Sequence, residues 1–441
     1  MQRGQFRTIE TSSLVSMLSE VFMENLPMEV VGNILSHLGN AKEVVIASST
    51  CRKWRESFRK HLHTLCFCSH DCPIYRDLTT RRLEVIITET IFQTVGLQCL
   101  SLCMDYVHEF SAAAVIAWLM YTRETLRSLS YNIHTVPTVN ILEKCSRQKL
   151  EVLELDHNPI FGVEPSYQKF NSLRSFTLRH VSVSAFDISL LLASCPKIET
   201  LTLVSLEIMT SDSQSSMELS SLTLRSLYAK ALNVDKIVLE ADNLETLHFY
   251  SLNLEVFELN AKGALNNIKL DDVSIVHFDA CESIDQLEVI DFSISTISWP
   301  KFYQLVFRSS RLRTLRLWGV VFVDEDEIMD LENPTTRCPH LKHLCLSYEI
   351  RDGLFHNGLH DSLSLENVTT LELGWSVISE HFGQWVFGMV DQCPNLKNLV
   401  IHGVLSDPKT REECQMLASF TSSVVSVMRK YMHVDVRFEY A

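Results

Sequence analysis

The stretch Cys66-Phe-Cys68-Ser-His70-Asp-Cys72 carries the side-chain types of a zinc site, thiols and an imidazole at short spacing. A closed tetrahedron also needs a second, distant pair of the same form, and none stands out in the chain. The plainer alternative is a strand whose alternating cysteines turn inward, so no metal is expected. Asp324-Glu-Asp-Glu327 reads as a solvated loop that could attract a basic partner or fix Arg311, Arg313 and Arg316. Arg52, Lys53, Arg55, Arg59 and Lys60 read as the wet side of a helix. There is no glycine-rich phosphate loop, no His-Glu-x-x-His and no recognisable nucleophile turn. Neither catalytic residues nor a cofactor are expected. A formal charge of −15 argues against general binding to nucleic acid phosphates. No run of about 18 apolar residues suggests a membrane span. Leu14-Val-Ser-Met-Leu18 is too short for a signal peptide. Thirteen cysteines, odd in number and without framework spacing, suit a reducing compartment, cytosol or nucleus.

The chemistry left to this chain is recognition. Side chains lying between regularly spaced leucines form the candidate target surface: Ser175, Thr177 and Arg179; Thr246, His248 and Tyr250; Thr314, Arg316 and Trp318; His343, Cys345 and Ser347. Among them Arg179, His248, Tyr250, Arg316 and Trp318 are the substrate-binding candidates. Trp and Arg side by side are the residue types that dominate protein interfaces. Trp318 could instead close the turn after its strand.

The leucines that would position these residues recur thirteen times between Leu97 and Leu396, about 25 residues apart. Leu150-Glu-Val-Leu-Glu-Leu155, Leu312-Arg-Thr-Leu-Arg-Leu317 and Leu341-Lys-His-Leu-Cys-Leu346 are clear copies. The period predicts an α/β fold, a curved leucine-rich repeat solenoid with parallel strands on the concave face and helices or extended segments on the convex face. Helical spacing predicts backing helices over Ala113–Met120, Ala185–Leu192, Phe302–Arg308 and Glu380–Val390. Cys195-Pro196, Cys338-Pro339 and Cys393-Pro394 stop three helices at equivalent places. Starts at 224, 244, 265 and 287 lie too close together for a helix, so Lys236–Leu239 and Ser274–Phe278 are expected to return extended. Gln415–Arg429 as a helix and Met432–Tyr440 as a strand would cap the array.

Ahead of the repeats the chain changes character. Residues 1–22 show no periodicity. Pro27 suits a first helical turn, and Val30, Val31, Ile34, Leu35 and Leu38 then form one helical stripe that Gly39 ends. Asn40 with Glu43 opens a second short helix. A third carries Cys51, Trp54, Phe58 and Leu62. Three such helices are too small for a large core, and surplus apolar surface calls for a partner.

Leu26-Pro27, the aliphatic helix ending in Leu38, and Cys51-Arg-Lys-Trp54 together resemble an F-box, over residues 24 to about 65. With the repeat array, the chain resembles a plant-type F-box/leucine-rich-repeat protein. The resemblance implies a short three-helix F-box module that docks on the Skp adaptor of a cullin–RING ubiquitin ligase. Carried onto this chain, Leu26, Pro27, Val30, Ile34, Leu35, Leu38 and Trp54 would form the docking surface and its support. The implied role is a non-catalytic subunit that recruits a protein target for ubiquitination. The alternative is a scaffold that binds partners through its repeats without promoting ubiquitination. The chain also broadly resembles the plant auxin and jasmonate receptors, but its repeats are fewer and its charge acidic, so no small ligand is carried over. The expected boundaries are an extension over 1–22, the module over 23–65, the solenoid over 66–410 and a helix–strand cap over 411–441.

Overall fold

Leucines that alternate with polar residues suit an extended chain, which sends successive side chains to opposite faces. The computed structural model describes residues 25–104, 109–146, 148–160, 162–164, 169–209, 215–280, 284–323, 338–350, 365–404 and 410–440. The chain forms two compact units, Met1–Val181 and Ser182–Ala441. The strands numbered below are those of each unit's principal ladder.

The first unit begins with the three-helix module: α1 (Met28–Ser36), α2 (Ala41–Ser48) and α3 (Arg52–His61). Gly39, at φ +72°, ends the first turn-out, and the Asn40 side chain accepts the Lys42 N–H to open α2. A Cβ on Gly32 would lie 2.4 Å from the His61 carbonyl oxygen, so α1 and α3 cross at a distance only glycine permits. Five parallel strands follow: β1 (Thr64–Cys68), β2 (Cys99–Cys103), β3 (Ser128–Asn132), β4 (Val152–Asp156) and β5 (Ser175–Arg179). Leu65, Leu100, Leu129, Leu153 and Phe176 stand opposite one another in register and are all buried. The ladder therefore starts at Thr64, one repeat before Leu97. Leu65 and Phe67 fill its core while Cys66 and Cys68 face outward, the reverse of the expected inward cysteines. Helices α4 (Ile74–Asp77), α5 (Thr80–Phe92), α6 (Ala112–Thr122) and α7 (Ile141–Cys145) back these strands. The sequence predicts α6 and misses α5, where Val85, Ile86, Ile87 and Thr88 are β-branched. Packing of Leu83, Ile87 and Ile91 overrides that local preference. Trp118 of α6 is fully buried, and its indole N–H donates to Thr88 Oγ1 at 2.8 Å.

The second unit repeats the plan with β6 (Thr200–Val204), β7 (Ser226–Lys230), β8 (Thr246–Asn260), β9 (Asn267–Asp279), β10 (Val289–Ser293), β11 (Thr314–Trp318), β12 (His343–Ser347), β13 (Thr370–Val377), β14 (Asn398–Val404) and β15 (Asp435–Tyr440). Helices α8 (Ala185–Ala193), α9 (Trp299–Arg308) and α10 (Glu380–Asp391) lie where helical spacing places them. Between α8 and α9 the return path is extended. Lys236–Glu240 pairs in parallel with Val256–Asn260 of β8, and the far half of β9 continues that second ladder. Phe249, Phe257 and Phe278 fill the space between the two ladders, with centroids 5.0 and 5.6 Å apart. Helix α11 (Arg411–Lys430) and β15 close the array, and Phe420 packs between Phe382 and Phe438.

A second regularity is invisible in the sequence. The residue following the fifth strand position is left-handed at His157, His180, Ser205, Ala231, Ser251, Asp272, Ile294 and Trp375, with φ between +48° and +61°, and at Gly319. At several of these the backbone N–H donates to the fifth carbonyl of the next strand: His157 to Arg179, Ser205 to Lys230, Ala231 to Tyr250 and Ile294 to Trp318. A left-handed L-residue costs about 1–2 kcal/mol. The hydrogen bond and the in-register strand beyond it offset that cost.

Candidate protein-binding surfaces

In the module, one apolar stripe becomes two lines. Val31 and Leu35, four residues apart, are fully buried and hold α1 against its neighbours. Leu26, Val30, Ile34 and Leu38, also four apart, form the outer line. Leu26 and Ile34 are half-buried, while Val30 and Leu38 are exposed. Leu35 thus supports the surface from below. Pro27 is exposed and Trp54 half-buried. Helix α2 adds what the sequence pattern does not single out: Val44 is buried, but Val45 is 40 % and Ile46 56 % exposed. A cavity of about 390 Å³ opens beside them, lined by Val45, Ile46, Phe58, Ile74, Tyr75 and Ile86 among others.

On the second unit's ladder, the face opposite the leucines carries a row of functional side chains set by register. His248, Lys269, Asp291, Arg316, Cys345 and Glu372 occupy equivalent positions on six consecutive strands, β8 to β13. Arg316 sits 3.7 Å from Asp291 and 3.6 Å from Glu372, spanning the β12 strand between them. His343 Nε2 lies 3.1 Å from Glu372 Oε1. That contact, with Arg316 nearby, holds the Glu372 carboxyl down to about 2. Burial raises Asp291 instead, because Arg316 and Lys269, at 3.7 and 3.9 Å, stand too far off to compensate. Burial, then Lys269, pushes the His248 imidazole below its ordinary value. Cys345 and Ser347, expected in contact with a target, are buried, with Arg316 and Glu372 meeting across their strand.

At the strand ends lies an aromatic cluster. Trp318 meets Trp375 edge-on at 4.7 Å and His402 at 5.5 Å. Gly374 allows β14 to approach, since a Cβ there would sit 2.2 Å from the His402 carbonyl oxygen. The register slips between Gly374 and Ser376, leaving Trp375 outside the ladder. Of the substrate-binding candidates, His248, Tyr250, Arg316 and Trp318 all lie on this face; Lys230 Nζ stands 4.6 Å over the Tyr250 ring. Sequence reasoning misses Asp291, Glu372, Trp375 and His402. The first two were findable as the residues between paired core positions, Ile290 and Phe292, Leu371 and Leu373. Trp375 had no such signal.

Arg179 belongs to the first unit, exposed at the end of β5 opposite Asp156. Asp156 Oδ1 lies 2.7 Å from His157 Nδ1 and 2.9 Å from His180 Nδ1. The two imidazoles are stacked at 4.4 Å with only 12° between their planes. Nearly parallel rings cannot aim both lone pairs at one ion, so this trio suits a shared carboxylate rather than a metal. Cys66 and Cys68 lie on the same ladder's open face, where burial raises both thiols and opposes thiolate formation. Asp324–Glu327 lies outside the described residues; Arg313 pairs with Glu288 at 3.5 Å and Arg316 with Asp291 and Glu372. Among the described residues no helix is long and apolar enough to cross a membrane.

Comparison with known proteins adds an independent line. A family model described as F-box-like matches residues 23–68. A model for the leucine-rich repeats of the FBD-associated F-box protein At5g56370 matches residues 130–262. The chain is 58 % identical to the F-box/LRR-repeat protein At1g67190 of Arabidopsis thaliana over 418 residues, 95 % of this chain and all of that protein. It is 22 % identical over 210 residues to the Arabidopsis thaliana F-box protein At1g10780, covering 43 % of this chain and 46 % of that one.

Proposed function

The chain belongs to the F-box/leucine-rich-repeat proteins, and from that premise we propose that it is the non-catalytic, target-recognising subunit of an SCF-type ubiquitin ligase. The module docks on a Skp-type adaptor and, through it, on a cullin–RING assembly. The repeats hold a protein target near the ligase's ubiquitin-loaded enzyme, raising the local concentration of its lysines at the reactive thioester. Such positioning requires binding surfaces and no catalytic side chain.

The observation that carries this reading is the unfinished module. A free-standing three-helix cap would gain by turning Val30, Leu38, Val45 and Ile46 inward or replacing them with polar residues, yet all four are exposed. Burying an aliphatic side chain contributes about 1.5–3 kcal/mol, so these four can drive a stable docking contact. The twelve described cysteines are all free, which supports assignment to the cytosol or nucleus.

Co-purification of the full chain with a recombinant Skp-type adaptor tests the proposal. The double variant V45D/I46D is expected to lose about 100-fold in adaptor affinity with unchanged helical content and thermal midpoint. Undiminished capture by that variant defeats the docking assignment. Capture without any transfer of ubiquitin to material held by the repeats favours the plain scaffold.

A further inference from the structure

We propose that the strand-end edge of the second unit between β10 and β14 is an apolar docking edge that seats an aliphatic or aromatic side chain of the target polypeptide. The inference rests on the repeats being the target-holding part and assigns the chemistry of what they hold.

The strand-end column of left-handed residues carries it. Elsewhere that column holds His157, His180, Ser205, Ala231, Ser251 and Asp272, residues that are small or polar. At Ile294 and Trp375 it holds a β-branched side chain and an indole, at φ +48° and +61°. A β-branched residue is among the worst steric choices for this conformation, and Asn or Gly among the best. Neither is taken into the core: Ile294 is 64 % and Trp375 45 % exposed, and Trp375 meets only the rings of Trp318 and His402 among the aromatic side chains described. Large apolar groups held in solvent at conformational cost mark a surface kept for a partner.

Gly319 occupies the same column between them and shapes the seat. It has no side chain, and the atoms nearest a built Cβ belong to Ile294, 3.8 Å away. Ile294 borders the gap, and Trp318, the residue just before Gly319, meets Trp375 edge-on. His402 extends the aromatic wall. The ligand's chemistry follows from the charges beside it. Arg316 is bracketed by Asp291 and Glu372, so its charge is already matched. A neutral, apolar side chain anchored against the two indoles is what the edge can hold.

Panning a displayed library of random peptides on the full chain tests this. The selected peptides are then titrated against wild type, I294N and W375N, with thermal midpoints measured alongside. Asparagine tolerates the left-handed backbone, so each variant keeps the fold while removing the apolar group. Selected peptides should share an aliphatic or aromatic residue and lose about tenfold or more in affinity for each variant, with midpoints that hold or rise. Selection of nothing above background, equal binding to wild type and variants, or a fall in midpoint showing that Ile294 and Trp375 pack internally would each overturn the proposal. Adaptor capture through Val45 and Ile46 is measured separately, so the failure of one assignment leaves the other readable.

Discussion

The helical module and the strand ladders treat their apolar residues in opposite ways. In the ladders, Leu153, Leu247, Leu315 and Leu371 are fully buried, each facing its counterpart in the next repeat. A ladder completes itself by repetition, because every new strand covers the last. The module has only three short helices, and after Val31, Leu35, Val44 and Phe58 are buried its interior is full. What remains, Val30, Leu38, Val45 and Ile46, is left on the outside. The contrast teaches that the leucine rows report on stability, while the aliphatics left outside the module are free to serve the proposed docking.

Substitutions can break that contrast or sharpen it. The largest effect is expected at a ladder leucine. Leu315→Ala leaves a cavity in a fully buried row and should cost about 2–5 kcal/mol in denaturant unfolding. A loss under about 1 kcal/mol would mean that the ladder relaxes and is less complete than its burial implies. Changes at Val45 and Ile46 should move adaptor affinity and leave unfolding nearly untouched. Similar unfolding losses at both places would erase the distinction.

A smaller effect is expected from pH. His248 has a folded value below the ordinary 6.5, so the native state resists its protonation while the unfolded chain does not. Its contribution is complete above 6.5 and declines as pH falls below that value. The unfolding free energy should therefore fall with acidification in wild type and fall less steeply in His248→Gln. Parallel curves would remove His248 from the account. The smallest effect belongs to the exposed strand edge. Arg225 and Glu245 meet at 2.8 Å with side chains 60 % and 43 % exposed, and Arg225→Ala should cost less than about 1 kcal/mol.

Much of the fold was legible because repetition amplifies weak local signals. Helices α6, α8, α9 and α10 coincide with stretches of helical spacing, and Lys236–Glu240 is extended where a 20-residue period leaves no room to coil. Helix α5 was not legible, since its β-branched run favours a strand until Leu83, Ile87 and Ile91 find the core. In the candidate surfaces, the face carrying His248, Tyr250, Arg316 and Trp318 was readable from alternation alone. The pairing of Arg316 with Asp291 and Glu372 was not, because those three residues are 25 and 56 positions apart in sequence and meet only through strand register.

The amino-acid order by itself determined the repeat period, the parallel α/β plan and the resemblance of the first helices to an F-box. All three rest on side-chain spacing that a single segment can express. Tertiary structure alone decided which of two adjacent apolar lines in α1 is hidden, which residues take the left-handed strand-end position, and that Ile294, Trp318 and Trp375 share one edge. Those outcomes depend on how closely backbones approach at Gly32 and Gly374, and on hydrogen bonds between neighbouring strands, neither of which any local pattern encodes.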